Sequence, residues 1–207
     1  KGEVVGIIGP NGAGKTTLCS RISEIIKSQK ILEKFEDNPF LPYFYRNMEE
    51  YALALELVFL TERVNQLRKL SPPLFSKMLL CDFTIYKSFI FGRVTLKEWK
   101  FEIFRRIFNL LAPTVPTPSL IIYIYREIPE LIKNIKRRGR PYEMSITEDY
   151  LFAIEESYEH FFKFHCKHPV ITINASGKDL LLPETLQKII DSINEVINTK
   201  KSIALEV

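Results

Sequence analysis

Gly9-Pro10-Asn11-Gly12-Ala13-Gly14-Lys15-Thr16 has the spacing G-x-x-x-x-G-K-[ST], the pattern of a loop that wraps phosphate groups. The residue types suit that task. Glycines let backbone N–H groups turn inward around phosphate oxygens where a side chain would block approach. A helix starting at the end of the loop adds unpaired N–H groups and a partial positive charge. At this spacing Lys15 reaches the β- and γ-phosphates of a nucleoside triphosphate and the Thr16 hydroxyl ligates Mg²⁺, with Thr17 beside it in the first helical turn. The flanks separate such a site from a chance glycine-rich turn. Val4-Val5-Gly6-Ile7-Ile8 suits a buried strand, and the residues after Thr16 carry apolar side chains at helical spacing.

Three further groups could act on a bound triphosphate. Asn134-Ile135-Lys136-Arg137-Arg138-Gly139-Arg140-Pro141-Tyr142-Glu143 is strongly basic. It reads either as a solvated helix end or as a lid whose arginines follow charge through phosphoryl transfer. Gly139 and Pro141 break the helix, which places Arg138 and Arg140 on a loop and favours the lid. Asp82 closes the apolar run Met78-Leu79-Leu80-Cys81. It is read as the acid that orients the metal, the alternative being an aspartate that ends a strand in a turn. Glu33 falls in or just after a second strand, where the carboxyl ends of parallel strands meet ligands. Spacing alone favours a surface glutamate there over a general base.

The elements that must position these residues alternate between strand and helix, as in an α/β fold with a parallel sheet. Strands are expected at residues 4–8, 31–35, 78–82, 119–124 and 170–174, five in all. Helices are expected after the glycine loop, over Glu49–Leu70 with Leu53, Leu55, Val58, Phe59 and Leu67 in the core, and over Leu96–Leu111. Others should start at Pro129, after Thr147 as N-cap through Phe164, and at Pro183. Ser71-Pro72-Pro73 should end the long helix.

Composition bounds the partners. The 207 residues are 46% hydrophobic, enough for one buried core, and the net charge of +4 is too small to argue for a nucleic acid polymer. The 3 cysteines, Cys19, Cys81 and Cys166, have no metal-ligand spacing and read as free thiols in a reducing, cytoplasmic setting. No apolar run is long enough to span a membrane. The chain opens on Lys1 and enters a strand almost at once, so a single domain excised from a longer chain is expected.

Taken in order along nearly the whole chain, these segments resemble the deoxynucleoside kinases, in particular their bacterial deoxyadenosine/deoxyguanosine kinase branch. The resemblance implies a P-loop kinase fold with a short arginine-rich lid, and transfer of the γ-phosphoryl group of ATP, with Mg²⁺, to the 5′-hydroxyl of a deoxynucleoside, a purine one favoured. Glu33 through Tyr45 is similar to the family's stretch after the second strand, which makes Glu33 the base and Tyr45 a contact to the sugar 3′-hydroxyl. Tyr51 through Arg63 resembles the base-reading helix, with Glu56 and Arg63 toward the nucleoside. Arg137 through Glu143 resembles the lid, with Arg138 and Arg140 on the phosphates and Glu143 on the 3′-hydroxyl. Ile173 through Leu180 is similar to the loop around the donor adenine, which brings in Asn174, Asp179 and Leu180. A homodimer through the Glu49–Leu70 and Leu96–Leu111 helices is also implied.

Two departures stand out. Glu56 replaces a usual glutamine, and an ionised glutamate only accepts hydrogen bonds. Cys81-Asp82 replaces a usual Glu-Arg pair, so Lys87, Arg63 or a lid arginine must supply the lost charge, or the protein is a weak kinase or an ATP-holding regulator. A thymidylate-type monophosphate kinase is disfavoured because Glu33, Glu36 and Asp37 would repel an acceptor phosphate. A transporter-type ATPase lacks its Ser-Gly-Gly-Gln signature here.

Overall fold

The computed structural model describes residues 2–34, 38–69 and 78–207. A parallel sheet runs through it in the order β2-β3-β1-β4-β5-β6. Its strands are β1 (Glu3–Ile8), β2 (Gln29–Ile31), β3 (Met78–Cys81), β4 (Leu120–Tyr125), β5 (Val170–Asn174) and β6 (Ile203–Leu205). The helices are α1 (Lys15–Ile25), α2 (Leu41–Phe44), α3 (Met48–Arg68), α4 (Tyr86–Thr95), α5 (Glu98–Leu111), α6 (Ile128–Arg138), α7 (Glu148–Phe164) and α8 (Pro183–Thr199).

Alternation along the strands explains the layers, because successive side chains point to opposite faces. Val5 and Ile7 of β1 join Leu80, Leu120, Ile122 and Ile124 in a core that α1, α6 and α8 cover. Val4, Leu79 and Cys81 face the other way onto α3 and α5. Ile8, Ile121 and Tyr123 pack on the same side under α4 and α7. Central strands buried on both faces must be apolar throughout, as β1 and β4 are.

Several expectations are corrected. The sheet has six strands, not five: β6 pairs with β5 as a parallel edge strand. The second strand spans Gln29–Ile31 rather than 31–35, and Phe35 lies outside the described residues. The chain leaves the sheet there because the Asp82 carboxylate, not a backbone carbonyl, accepts from the Glu33 N–H at 2.7 Å. In α3, Leu55, Phe59 and Leu67 are buried, whereas Leu53 and Val58 are only half-buried. Asn47 caps α3 by accepting from the Glu50 N–H. Leu70 and Ser71-Pro72-Pro73 lie outside the described residues. Leu96 is extended, so the helix expected from it starts at Glu98, and α4 before it is an additional helix. Thr147 caps α7 by accepting from the Tyr150 N–H, as its type and place imply.

Candidate active site

The glycine loop joins β1 to α1 at the carboxyl edge of the sheet. Gly14 is the residue before α1, with φ 96°, and a Cβ there would meet nothing within 4 Å. That open face lets a ligand approach the backbone. Gly12, at φ 85°, is pressed from behind: a Cβ would come within 2.6 Å of the Leu131 carbonyl of α6. Asn134, also on α6, donates to the Gly12 carbonyl at 3.0 Å. Tyr158, fully buried on α7, accepts from the Gly9 N–H at 3.1 Å and donates to the Gly9 carbonyl at 2.9 Å. The loop is thus held from two helices. Lys15 Nζ donates to the Pro10 carbonyl at 2.8 Å. Burial, then the Lys87 charge, pulls this ammonium down to about 7, with Glu33 and Asp82 opposing and Arg138 adding to the fall.

Glu33, just past β2, is the centre of a buried ion cluster. Arg63 of α3 binds its Oε1 through Nε at 2.7 Å and Nη2 at 2.6 Å, and Lys87 of α4 binds Oε2 at 2.5 Å. The Arg63 and Lys87 side chains are only 3% and 6% exposed. Burial alone would raise the Glu33 carboxyl, but Arg63 and Lys87 outweigh it and hold the carboxyl down at about 2. A carboxylate has about four lone-pair sites. Three are taken here, which leaves Oε2 able to accept from one more donor.

Arg63 and Lys87 also line a pocket with Asn11, Phe44, Tyr45 and Glu56. Glu56 accepts from Thr95 Oγ1 at 3.1 Å. Burial pushes its carboxyl up to about 7, Arg63, Thr95 and Lys87 opposing and Glu33 adding to the rise. Burial likewise pushes the Tyr45 hydroxyl up.

Asp82 joins the two halves of the site. Its Oδ2 accepts from Thr16 Oγ1 at 2.5 Å and its Oδ1 from the Glu33 N–H at 2.7 Å. Oxygen-only donors beside a phosphate loop fit Mg²⁺, which keeps waters and takes one or two protein oxygens together with phosphate. Among the described residues no cluster of three or more His, Cys, Asp or Glu side chains could hold a metal alone.

The structure redistributes the basic segment. Arg138 is the last residue of α6, not a loop residue, because the left-handed turn falls at Gly139 (φ 74°). Its guanidinium lies on Glu143 Oε2, with Nε at 3.0 Å, and Arg140 Nη1 stands 3.9 Å from Glu143 Oε1. Glu143 is 1% exposed, in the single turn Pro141–Glu143. The lid arginines are therefore paired with Glu143. A second cavity, on the other side of the loop, is lined by Thr17, Arg126, Arg137, Lys178, Asp179 and Leu180. Asn174 does not line it. Its side chain instead accepts from the Ser176 N–H and turns the chain after β5. Asn11 faces the first pocket, away from this second one.

Two cavities flanking a phosphate loop, one lined by two cations that hold a buried carboxylate, are the arrangement a kinase with two substrates needs. The profile of deoxynucleoside kinases matches residues 5–198. The chain belongs to the deoxynucleoside kinase family. It is 36% identical over 200 residues to deoxyguanosine kinase of Bacillus subtilis, covering 93% of this chain and 97% of that one. It is 28% identical to deoxyadenosine kinase of Lactobacillus acidophilus, covering 95% and 99% of the two chains. The fold is also that of deoxyadenosine kinase from M. mycoides solved with bound dATP, with TM-score 0.81 and 24% identity over 93% of this chain and 99% of that chain.

As a deoxynucleoside kinase, the chain carries site residues that sequence reasoning passes over. Arg126 and Arg137 line the second cavity, Asn134 and Tyr158 brace the loop, and Ser88 accepts from Arg63 Nη1 at 2.6 Å. Of these, Asn134 and Arg137 carry a signal, as members of the basic segment Asn134–Glu143. The others act through contacts between distant segments, which no local pattern marks.

Proposed function

We propose that this kinase moves the γ-phosphoryl group of ATP to the 5′-hydroxyl of a purine deoxynucleoside, deoxyguanosine or deoxyadenosine. The observation that carries the reading is Glu33, held ionised by Arg63 and Lys87, which both line the first pocket, with one acceptor position left. A hydroxyl donating to that position is oriented for in-line attack, and its proton passes to Glu33 as the new O–P bond forms. The low pKa of Glu33 suits a late transfer, since the hydroxyl becomes acidic only as it bonds to phosphorus. Lys15, the loop N–H groups and the arginines at the end of α6 would stabilise the transferring group, and Arg126, Arg137, Asp179 and Leu180 would hold the donor. Arg138 and Arg140 would turn from Glu143 to phosphate, with Glu143 and Tyr45 toward the sugar. An acceptor phosphate is disfavoured beside Glu33 and Asp82. ATP turnover with deoxyguanosine, deoxyadenosine, deoxycytidine, thymidine and their monophosphates tests the reading. Phosphorylation of monophosphates alone would replace it by a monophosphate kinase, and ATP binding with no turnover by a regulator.

Thr16 and Asp82 would hold Mg²⁺, which when bound neutralises charge between the β- and γ-phosphates. Asp82→Asn keeps an oxygen for the Glu33 N–H but removes the charge. It should raise the Mg²⁺ concentration for half-maximal rate and lower kcat, with little change in nucleoside affinity. A Mg²⁺ titration at saturating nucleoside that superimposes on wild type ends the metal assignment.

A homodimer through α3 and α5 is part of the reading. Trp99, Ile103 and Leu110 on α5 are 63%, 43% and 74% exposed and fall on one face of the helix. A monomer in sedimentation at micromolar concentration would contradict it. No helix among the described residues is long and apolar enough to cross a membrane, and Cys19, Cys81 and Cys166 are free thiols. A cytoplasmic setting accords with both.

A further inference from the structure

The first pocket holds an oxygen that the rest of the molecule does not use. Glu56 is 2% exposed and lines the pocket near Tyr45 and Tyr150, and its Oε2 has no hydrogen-bond partner among the described residues. Oε1 is engaged by Thr95 Oγ1 at 3.1 Å. A buried polar atom without a partner is costly unless a ligand meets it. Because Thr95 donates to Oε1, a proton on this carboxyl belongs on Oε2. Oε1 then keeps a second lone pair for an amino group in either state, while Oε2 changes from acceptor to donor on protonation.

Purine bases differ at the atom Oε2 would meet. Guanine presents a ring N–H between its amino group and its carbonyl oxygen, two donors in a row on one side and a donor beside an acceptor on the other. Adenine presents an amino group beside a bare ring nitrogen, a donor next to an acceptor. We propose that Glu56 is a protonation-dependent selector of the nucleobase: its carboxylate takes guanine alone, and its carboxylic acid admits adenine as well. The selector rests on the reading of this pocket as the deoxynucleoside site.

The groups around Glu56 leave both states accessible. Arg63 from α3 and Lys87 from α4 attract its charge, but both are bonded to Glu33, whose own charge opposes them. Glu143 is paired with Arg138 and Arg140. The Tyr45 and Tyr150 hydroxyls are pushed up by burial and stay neutral. Burial has the largest effect on Glu56 itself and sets its carboxyl at about 7. Thr95 serves both states, since its hydroxyl also reaches the Phe91 carbonyl at 3.1 Å.

Equilibrium binding of deoxyguanosine and deoxyadenosine to the wild-type protein at about pH 6 and about pH 8 tests the selector without requiring turnover. Across that interval the ionised fraction of a carboxyl near 7 rises about tenfold and the protonated fraction falls about tenfold. Because guanine pairs with either state and adenine only with the acid, the ratio of deoxyguanosine to deoxyadenosine affinity should rise by up to about tenfold. Glu56→Gln, with a fixed donor and a fixed acceptor, imitates the acid, so it should bind both nucleosides with a ratio that stays flat and close to the wild-type ratio at about pH 6. A flat ratio in wild type, or a slope that persists in Glu56→Gln, overturns the selector and leaves the kinase reading standing. Binding of neither nucleoside overturns both. A ratio that shifts as expected in a protein that phosphorylates neither supports the selector and overturns only the catalytic reading.

Discussion

Replacing Glu33 by glutamine is expected to lower kcat by about 10²- to 10⁴-fold, with a smaller change in KM. The amide cannot take the hydroxyl proton, and it no longer balances Arg63 and Lys87, both nearly buried. Breaking such a buried cluster costs roughly 3–5 kcal/mol of stability, so kinetics must be read beside a denaturant curve. The two effects separate by pH. Folding lowers the Glu33 carboxyl from 4.5 to about 2. Its contribution to wild-type stability is therefore complete above the unfolded value and is lost as pH falls through the folded one. The glutamine variant should lack that acid-dependent loss. A kcat within a few-fold of wild type in a folded variant would end the assignment of Glu33 as base.

Lys15→Ala should have an effect of similar size, a fall in kcat on the order of 10²- to 10³-fold or more, with weaker ATP binding. Three cations near the loop already face carboxylates: Arg63 and Lys87 on Glu33, Arg138 on Glu143. Lys15 instead donates to the neutral Pro10 carbonyl. Moving it to a phosphate costs one neutral hydrogen bond, whereas moving any of those three would uncover a buried carboxylate. Single-turnover rates and an ATP titration measure the loss. Turnover near wild type would remove the glycine loop from the mechanism.

What could be read from the chain alone is what local chemistry determines. The glycine loop, the apolar strands β1 and β4, and the Thr147 cap each rest on neighbouring residues, and each falls where their types imply. β6 escaped because three residues, Ile203–Leu205, are too few to show a period. α4 escaped because residues such as Ile90, Phe91 and Gly92 bury it on more than one face, which blurs the amphipathic pattern. The second strand is short for a non-local reason, the side chain of Asp82 taking the place of a ladder carbonyl. The site follows the same division. Resemblance singled out Glu33, Arg63 and Lys87 one by one, but that both cations close on one carboxylate is a property of α3, α4 and β2 together. Arg138 was misplaced because the helix runs up to Gly139 before it turns.

The grip of Tyr158 on Gly9 bears on how the chain reaches its folded state. β1 lies in the middle of the sheet, against partners that begin at Met78 and Leu120, and the hydroxyl that holds Gly9 lies 149 residues further along. Non-local pairing of this kind slows folding. At about 5–20 residues per second, the ribosome adds Tyr158 roughly 7 to 30 seconds after Gly9. Until Met78 and then Leu120 are added, Val4, Val5, Ile7 and Ile8 form an apolar strand without its neighbours, the kind of segment that recruits other chains. The same eight-residue loop that is easiest to recognise in the sequence is therefore among the last parts of the enzyme to be secured, and the nascent chain is most exposed to aggregation before β3 and β4 emerge.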